Sequence, residues 1–363
     1  MQLPGFILLI LCYLTQIFFY LKFFRKIKNI RGPNQSEGLS VSVIVVGKNE
    51  AENIKTNLPR LCTQDYPNFE VLYMDDHSTD DTNLIVNELC KKYKHLKHLN
   101  ASDSIKGKKG KKWALKEARE AAGNEIILLT DADCIPDSSL WIKHMVSKFD
   151  SHIDVVLGIG QYKRERGMLN ILLQYETLFT ALSYLGFAAG GSAYMGVGRN
   201  LAYRKSIPQL VEEKGMEILS GDDDLFLQSR LNESNAAICI ENGSFTTSLG
   251  PKSFGSWVRQ KKRHYSAAFH YSLQSKSLLF LLKFSFYLPN YLFLCLILTK
   301  YALAMLALFV VRSLLWARYL NKIGTRLHFP RRIYLVPCYE IFFSLFDTWI
   351  TITNLMTKPR RWK

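Results

Sequence analysis

Short apolar runs alternate with amphipathic stretches between about residue 40 and residue 270. The apolar runs predict buried strands at residues 41–46, 69–74 and 125–130. The amphipathic stretches predict helices at residues 51–62, 80–93 and 111–122. Strands that alternate with helices form βαβ units, so the pattern predicts a doubly wound α/β fold. The ligand site of such a fold lies at the carboxyl ends of the strands.

Longer apolar stretches predict membrane helices at both ends of the chain. Residues 3–24 are almost uncharged and long enough to cross a hydrocarbon core of about 30 Å. A positive n-region and a small-residue cleavage site are both missing, which argues against a secretory signal peptide. Residues 278–298 and 301–320 predict further spans. Residues 333–355 form a third candidate, for which two acidic residues make a span less favourable. We therefore expect two or three C-terminal membrane helices, of which the last crosses, turns back or lies in the interface.

Basic residues indicate the orientation of these segments. They follow the first apolar stretch and none precedes it, so the positive-inside rule places the next domain in the cytoplasm. The predicted domains are an anchor at 1–25, a catalytic domain at 40–270 and C-terminal membrane or interfacial helices at 278–355. The apolar stretch 169–189 contains Gln174 and Glu176, and we expect it to be a helix of the catalytic domain on the bilayer surface.

Charge and cysteine content narrow the class of protein. The 363 residues carry a formal charge of +16, and much of the excess lies beside the apolar segments, where anionic lipid attracts it. No RNA- or DNA-binding motif accompanies the charge, so we expect no nucleic-acid partner. The seven cysteines include no CxxC pair, which predicts neither a zinc site nor a disulfide framework. Isolated reduced cysteines agree with a cytosolic domain.

The tripeptide Asp131–Ala132–Asp133 follows the third predicted strand. Two carboxylates one residue apart offer the oxygen ligands that Mg²⁺ or Mn²⁺ prefers, and these ions usually bind together with substrate phosphates. Strand-end turns also collect aspartates for hydrogen bonding alone, which is the alternative.

The first two predicted strands also end in polar residues. Asn49 and Glu50 lie between a strand and a helix, where a loop can hold a nucleotide, although an ordinary turn with Asn49 as helix N-cap is the alternative. Asp75 and Asp76 end the second strand and can accept from a base N–H or a ribose hydroxyl. Lys111 begins a predicted helix after a lysine-rich loop, and it is the lysine there best placed to reach a diphosphate.

Two further clusters lie nearer the C-terminus. Asp222 and Asp223 belong to a run of three adjacent aspartates, whose mutual repulsion suits a general base. A helix N-terminus would also favour such a run. Gln260, Arg263 and His264 lie on an amphipathic stretch, for which a basic helix at the membrane interface is the alternative.

Taken in order, these motifs resemble family 2 glycosyltransferases over about residues 40–265, in particular the membrane-bound branch that includes cellulose, chitin and hyaluronan synthases. Each motif is loose, but five in order are specific. The resemblance implies a GT-A fold and an inverting, metal-dependent transfer from a nucleotide sugar, with a UDP-sugar favoured.

The resemblance also implies roles for individual residues. Asp76 would contact the base with Asp75 beside it, and Lys111 would lie near the ribose-phosphate. Asp131 and Asp133 would form the metal-binding motif. Asp133 would be the direct ligand, and Asp131 would lie next to both the metal and the nucleotide. The general base of the reaction would be Asp223 in one alignment with the family's acidic motif and Asp222 in the other. The spacing to Gln260 favours Asp223. The acceptor set would be Asn200, Gln260, Arg263 and His264.

His264 departs from the family pattern, which has Trp after Gln-x-x-Arg. In the polymer synthases that the chain resembles, this Trp lies under the acceptor sugar, which can stack on its ring. Its absence here argues against processive synthesis. We therefore expect a multi-pass enzyme of the cell (inner) membrane that adds one sugar to a lipid-linked or other membrane-proximal glycan acceptor, in cell-envelope glycan synthesis. The alternatives are a processive polysaccharide synthase and a non-catalytic scaffold; the acidic clusters argue against the scaffold.

Overall fold

The computed structural model describes residues 2–29, 38–102, 110–207, 235–296, 299–330 and 335–356. Within these ranges the chain folds into two compact units. One comprises the described residues of Ile30–Arg164 and Phe187–Gly250 and is called the sheet unit. The other comprises those of Met1–Asn29, Glu165–Gly186 and Pro251–Arg360 and is called the apolar-helix unit.

The sheet unit contains a seven-stranded sheet in the order β3-β2-β1-β4-β8-β6-β9. Its strands are β1 Val41–Gly47, β2 Phe69–Asp75, β3 Leu96–Asn100, β4 Ile126–Asp131, β6 Val155–Leu157, β8 Leu201–Arg204 and β9 Ala236–Ile238. The first four are parallel to one another, whereas β8 runs antiparallel to both of its neighbours. The sheet is therefore mixed, and its parallel half contains the three strands that the sequence predicted.

Every residue of β1 is buried, which agrees with its continuous apolar sequence. The helices of this unit are α2 Ala51–Cys62, α3 Thr82–Lys92, α4 Lys111–Ala121 and the short α5 Trp141–Val146. The first three confirm the predicted helices. A smaller sheet of three short strands has the order β5-β10-β7, with β5 at Cys134–Pro136, β10 at Thr246–Ser248 and β7 at Gly160–Tyr162.

The apolar-helix unit is built from long helices. They are α1 Gln2–Lys22, most of α6 Met168–Ala189, α7 Phe254–Ala268, α8 Leu273–Leu296, α9 Ala302–Arg326 and α10 Val336–Met356. Among the described residues, three segments are long and apolar enough to cross a membrane: Gly5–Ile27, Leu273–Cys295 and Ala302–Arg326. One N-terminal and two C-terminal candidate spans agree with the sequence, and α10 is the segment that its acidic residues weakened.

Both acidic side chains of α10 have basic partners on neighbouring helices. Asp347 lies 3.0 Å from Lys283 of α8, and Glu340 pairs with Arg312 of α9. The α6 helix contacts α7 in the same way, because Glu176 accepts from Trp257 at 2.8 Å and pairs with Lys261. The residues of α6 up to Gly186 belong to this unit, and the domain limits derived from the sequence stay a prediction.

Candidate functional site

Three parallel strands end together at one edge of the main sheet. Gly47 at the end of β1 pairs with Asp75 of β2, and Val46 pairs with Asp131 of β4. The polar residues that follow these strands are therefore neighbours in space, although tens of residues separate them in the chain. Within the sheet unit the structure thus brings together the predicted nucleotide-binding and metal-binding residues.

The loop after β1 is held by specific contacts. A Cβ atom on Gly47 would lie 2.2 Å from the Tyr73 hydroxyl oxygen, so a larger residue at this position would have to displace the buried Tyr73 ring. Asn49 has a left-handed φ of 56°, and its side-chain oxygen accepts from the Thr79 N–H at 2.8 Å. The N-cap of α2 is Glu50, without a side-chain cap, so the alternative of Asn49 as N-cap is wrong. Asn49 instead fastens this loop to the loop after β2.

The two aspartates at the end of β2 are buried. Asp75 Oδ2 accepts from the Ser78 N–H at 2.8 Å, whereas Asp75 Oδ1 has no hydrogen-bond partner among the described residues. Asp76 is 3% exposed and its Oδ1 lies 3.3 Å from the His77 ring. A buried acceptor without a donor is costly. Asp75 therefore fits a ligand that brings an N–H or hydroxyl group, as a nucleoside would.

Asp131 and Asp133 lie close together after β4. Their carboxylates and the Cys134 thiol offer three ligand atoms within 4.8 Å of one another. Burial, and then repulsion by Asp131, raises the pKa of Asp133. Lys111, the first residue of α4, pairs with Asp131. Since a bound cation would relieve the repulsion between two carboxylates, this donor set fits a divalent metal such as Mg²⁺ or Mn²⁺.

Cys134 and Arg199 were not predicted as site residues. The Cys134 thiol is fully buried and donates to Asp133 Oδ1 at 3.5 Å, and burial raises the pKa of this thiol. Burial lowers the pKa of Arg199, but nearby Tyr162, Cys134 and the two aspartates outweigh it, so this pKa is raised and the guanidinium stays charged. The sequence signal was weak, because residues 198–204 resemble the family's Gly-x-Asn-x-Ala-x-Arg strand, and Arg199 stands at the first unspecified position of that motif.

Asn200 lies inside the sheet unit and is 0% exposed. Its side-chain oxygen accepts from Trp141 Nε1 at 3.0 Å, and its amide donates to the carbonyls of Ile159 at 3.0 Å and Ser244 at 2.7 Å. Three internal hydrogen bonds use most of what one amide can offer. This placement favours a bracing role for Asn200 over the acceptor contact that the sequence predicted.

The remaining predicted residues lie elsewhere. Gln260, Arg263 and His264 are on α7 of the apolar-helix unit, where the first two are half-buried and His264 is exposed. They thus belong to a different unit from the carboxylates, and their role as the acceptor set stays a prediction. Asp222 and Asp223 lie outside the described residues.

Comparison with known proteins agrees with this geometry. Residues 42–208 match the sequence model of Glycosyl transferase family 2. A beta-monoglucosyldiacylglycerol synthase of Nostoc sp. (strain PCC 7120) is 40% identical over 111 residues, which are 30% of this chain and 23% of that protein. The probable glycosyltransferase YdaM of Bacillus subtilis (strain 168) is 25% identical over 251 residues, 67% of this chain and 58% of that protein. The matches thus span less than two thirds of either relative.

A solved structure shows the same fold. The mannosyltransferase PcManGT from Pyrobaculum calidifontis, in complex with GDP-Man and Mn²⁺, superposes with a TM-score of 0.57 at 19% identity. The superposition covers 94% of this chain and 98% of that one. None of these likenesses confirms the cellulose, chitin and hyaluronan synthase branch, which stays a prediction.

Proposed function

We propose that the protein is a membrane-associated inverting glycosyltransferase. The premise is a family 2 glycosyltransferase domain of the GT-A fold. It would move a sugar from a nucleoside-diphosphate donor to a lipid-linked or membrane-proximal acceptor. The observation that carries this proposal is the pair Asp131 and Asp133 at the sheet edge, beside Lys111 and the unpartnered oxygen of Asp75.

The residues of the sheet edge would divide the work of donor binding. Asp131 and Asp133 would hold the divalent cation, which when bound neutralises charge on the departing diphosphate. The unpartnered oxygen of Asp75 and the carboxylate of Asp76 would accept from the base or the ribose. Lys111, paired with Asp131, supplies a positive charge next to the same place.

Inversion requires a base on the face of the sugar opposite the leaving group. We assign this role to Asp223, with Asp222 as the alternative register. The carboxylate takes the proton of the acceptor hydroxyl while that oxygen bonds to the anomeric carbon. The bond from this carbon to the diphosphate breaks, and the diphosphate leaves with the electron pair.

A lipid acceptor is supported by two observations. Three segments of the described chain are long and apolar enough to cross a membrane. The Nostoc relative is a beta-monoglucosyldiacylglycerol synthase, and that name denotes a membrane lipid that carries a sugar. With the positive-inside rule, the proposal places the protein in the cell (inner) membrane with its catalytic domain in the cytoplasm, where nucleotide sugars are available.

A transfer assay tests the proposal. Full-length protein in proteoliposomes that contain lipid extract is given UDP- and GDP-sugars with Mg²⁺ or Mn²⁺. We expect transfer from one donor, and loss of transfer in excess EDTA and in Asp133→Ala. The variant should fold normally, because the substitution removes repulsion from Asp131. Asp65→Ala, which changes an exposed aspartate of the same unit, is the matched control. Full activity of Asp133→Ala would rule out the metal assignment.

The same assay decides between single addition and polymer synthesis. His264 offers an exposed imidazole instead of a large aromatic face on which an acceptor sugar could stack. Two C-terminal candidate spans also provide little material to line a pore. We therefore expect a short glycolipid product. A high-molecular-weight polymer across the bilayer would show a synthase instead.

A further inference from the structure

We propose that Arg199 forms a fixed anion subsite, which binds phosphate oxygens of a nucleoside diphosphate beside Asp131 and Asp133. Through its charge, Arg199 would also make cation binding depend on the diphosphate. This inference deepens the proposed function and rests on it. It concerns a residue of the sheet unit for which the sequence predicted no role.

The guanidinium of Arg199 is held on three sides. It donates to the Ser248 hydroxyl at 3.0 Å and to the Gly160 carbonyl at 3.3 Å. Its Cζ lies 4.6 Å from the centre of the Tyr162 ring, a cation–π distance. A Cβ atom on Gly160 would come within 3.0 Å of the Arg199 side chain, so glycine at this position makes room for it. An arginine held in this way loses little further freedom when it binds a ligand.

The small sheet places this guanidinium next to the metal-binding carboxylates. Ser248, its hydrogen-bond partner, is paired with Cys134 on one side and with Tyr162 on the other. Paired residues of adjacent strands point to the same face, about 5 Å apart. Cys134 follows Asp133 directly and donates to its carboxylate. Arg199, Ser248 and Asp133 are thus neighbours, and the charge of Arg199 acts on both aspartates.

Arg199 has hydrogen-bonding capacity to spare. A guanidinium offers five N–H donors in a planar fork. Among the described residues, two of them have protein acceptors. The other three N–H groups have no protein acceptor among the described residues. Arg199 is only half-buried, and its Nε is not among the buried atoms that lack a partner, so a ligand can reach Nε. The planar fork matches the oxygens of a phosphate group.

The charge of Arg199 has opposite effects on the two ligands. It repels a divalent cation that enters alone, and it attracts the diphosphate that a cation accompanies. Removal of this charge should therefore strengthen cation binding in the absence of nucleotide, or leave it unchanged, and should weaken diphosphate binding. A residue with only a structural role would weaken both.

Binding experiments on the full-length protein in detergent separate these effects. Affinity for UDP and GDP in the presence of Mn²⁺ is measured by calorimetry, and affinity for Mn²⁺ alone by electron paramagnetic resonance. For Arg199→Met we expect diphosphate affinity to fall roughly 10- to 100-fold, the size expected when charged hydrogen bonds are lost. Affinity for Mn²⁺ alone should be unchanged or higher. Arg60→Met, which removes an exposed arginine of α2, should behave as the unmodified protein.

A second variant guards against loss of folding. Arg199→Lys keeps the charge but loses the fork, so it should lose several-fold in diphosphate affinity while it still folds. Unchanged diphosphate affinity in Arg199→Met, or in Arg199→Lys if the first variant does not fold, would overturn the inference. A parallel loss of Mn²⁺ affinity would also overturn it. If the unmodified protein binds neither UDP nor GDP with Mn²⁺, the proposed function itself fails.

Discussion

Glu70 shows how one buried side chain stabilises the sheet edge opposite the site. One of its oxygens accepts from the Ser42 hydroxyl at 2.6 Å and from the Gly123 N–H at 2.7 Å. The other accepts from Lys97 at 2.7 Å. Glu70 thus links β2 to β1, to β3 and to the turn before β4. Burial opposes its ionisation, but the hydrogen bonds from Lys97, Ser42 and Gly123 outweigh it and lower the pKa of Glu70.

We predict that Glu70→Gln lowers the free energy of unfolding by about 1–3 kcal/mol at pH 7, the usual cost of losing hydrogen bonds to a charged group. Because the pKa of folded Glu70 lies below the ordinary value, its contribution is complete above about pH 4.3. The contribution is lost as the pH falls through the lower pKa of the folded protein. Thermal unfolding in detergent should therefore show a difference between the two proteins that shrinks below pH 4.3.

Glu88→Gln provides the control for this measurement, because Glu88 is exposed on α3 and the substitution removes the same charge. It should change the unfolding temperature little at any pH. A difference between the unmodified protein and Glu70→Gln that stays constant down to pH 3 would show that the carboxylate of Glu70 is not the group responsible.

The identity of the base is a second question at the scale of single residues. We predict that Asp223→Asn lowers kcat at least about 100-fold, as expected for loss of a general base, while donor binding survives. Asp222→Asn is the matched variant, with the same chemical change one position earlier. Steady-state transfer rates and calorimetric donor affinity of both variants decide the register. An inactive Asp222→Asn beside a nearly normal Asp223→Asn would show that Asp222 is the base.

The sequence reveals some of these residues and hides others for a physical reason. Asp75, Asp131 and Asp133 follow apolar strands, so periodicity alone predicts that they meet at one edge. The partners of Arg199 are Ser248 and Gly160, which are 49 and 39 positions away and follow no spacing rule. Contacts of this kind depend on the pairing of distant strands, which a single sequence does not show.

Individual elements were predictable in proportion to their length and hydrophobicity. The predicted helix at 51–62 coincides with α2, and β1 ends one residue later than predicted. The three-residue strands β5, β7 and β10 were not predicted. Each is too short to show a period. The central strand β10 pairs with both β5 and β7, so the three strands depend on contacts between distant parts of the chain.

Charged residues within the apolar helices form interhelical pairs, and the pair of α8 and α10 can be tested. Lys283 donates to Asp347 at 3.0 Å and to the Tyr265 hydroxyl at 2.8 Å, and the Tyr287 hydroxyl also donates to Asp347. The Asp347 side chain is 9% exposed and that of Lys283 is 36% exposed. Loss of the lysine therefore leaves the more deeply buried charge without its counter-ion.

We predict that Lys283→Met destabilises the protein by about 2–4 kcal/mol, and that Asp347→Leu destabilises it less. The double variant should regain most of the loss, because no unpaired charge remains. Thermal unfolding in detergent measures all three. Lys276→Met, in the first turn of the same helix and exposed, is the control. Additive losses in the double variant would show that the two side chains do not stabilise each other.

At the scale of the whole chain, the two units are interleaved in sequence. The segment Glu165–Gly186 and the described residues from Pro251 onward join the N-terminal helix in the apolar-helix unit. The sheet unit is correspondingly assembled from two separate stretches. Apolar periodicity identifies helices and strands but not which of them pack together, so a sequence naturally suggests contiguous domains. The limits 1–25, 40–270 and 278–355 follow the order of the chain, and they stay a prediction.

Orientation in the membrane is the property of the whole molecule that the sequence predicts most directly. Basic residues follow the N-terminal segment, and others lie in the last turns of α9 and directly after it. In the short connection before α9, the one basic residue is Lys300. The positive-inside rule therefore predicts that the sheet unit lies in the cytoplasm and Lys300 outside. This orientation is also the one that gives the sheet edge access to cytosolic nucleotide sugars.

We predict opposite labelling of two introduced cysteines by a membrane-impermeant maleimide. The exposed native Cys295 and Cys338 are first replaced by serine. In intact cells, Lys300→Cys should react, whereas Glu88→Cys, exposed on α3, should react only after permeabilisation. Each variant is the control for the other, since both positions are exposed in the fold and differ only in the predicted side. Labelling of Glu88→Cys in intact cells, with Lys300→Cys protected, would reverse the orientation and remove the proposed access to nucleotide sugars.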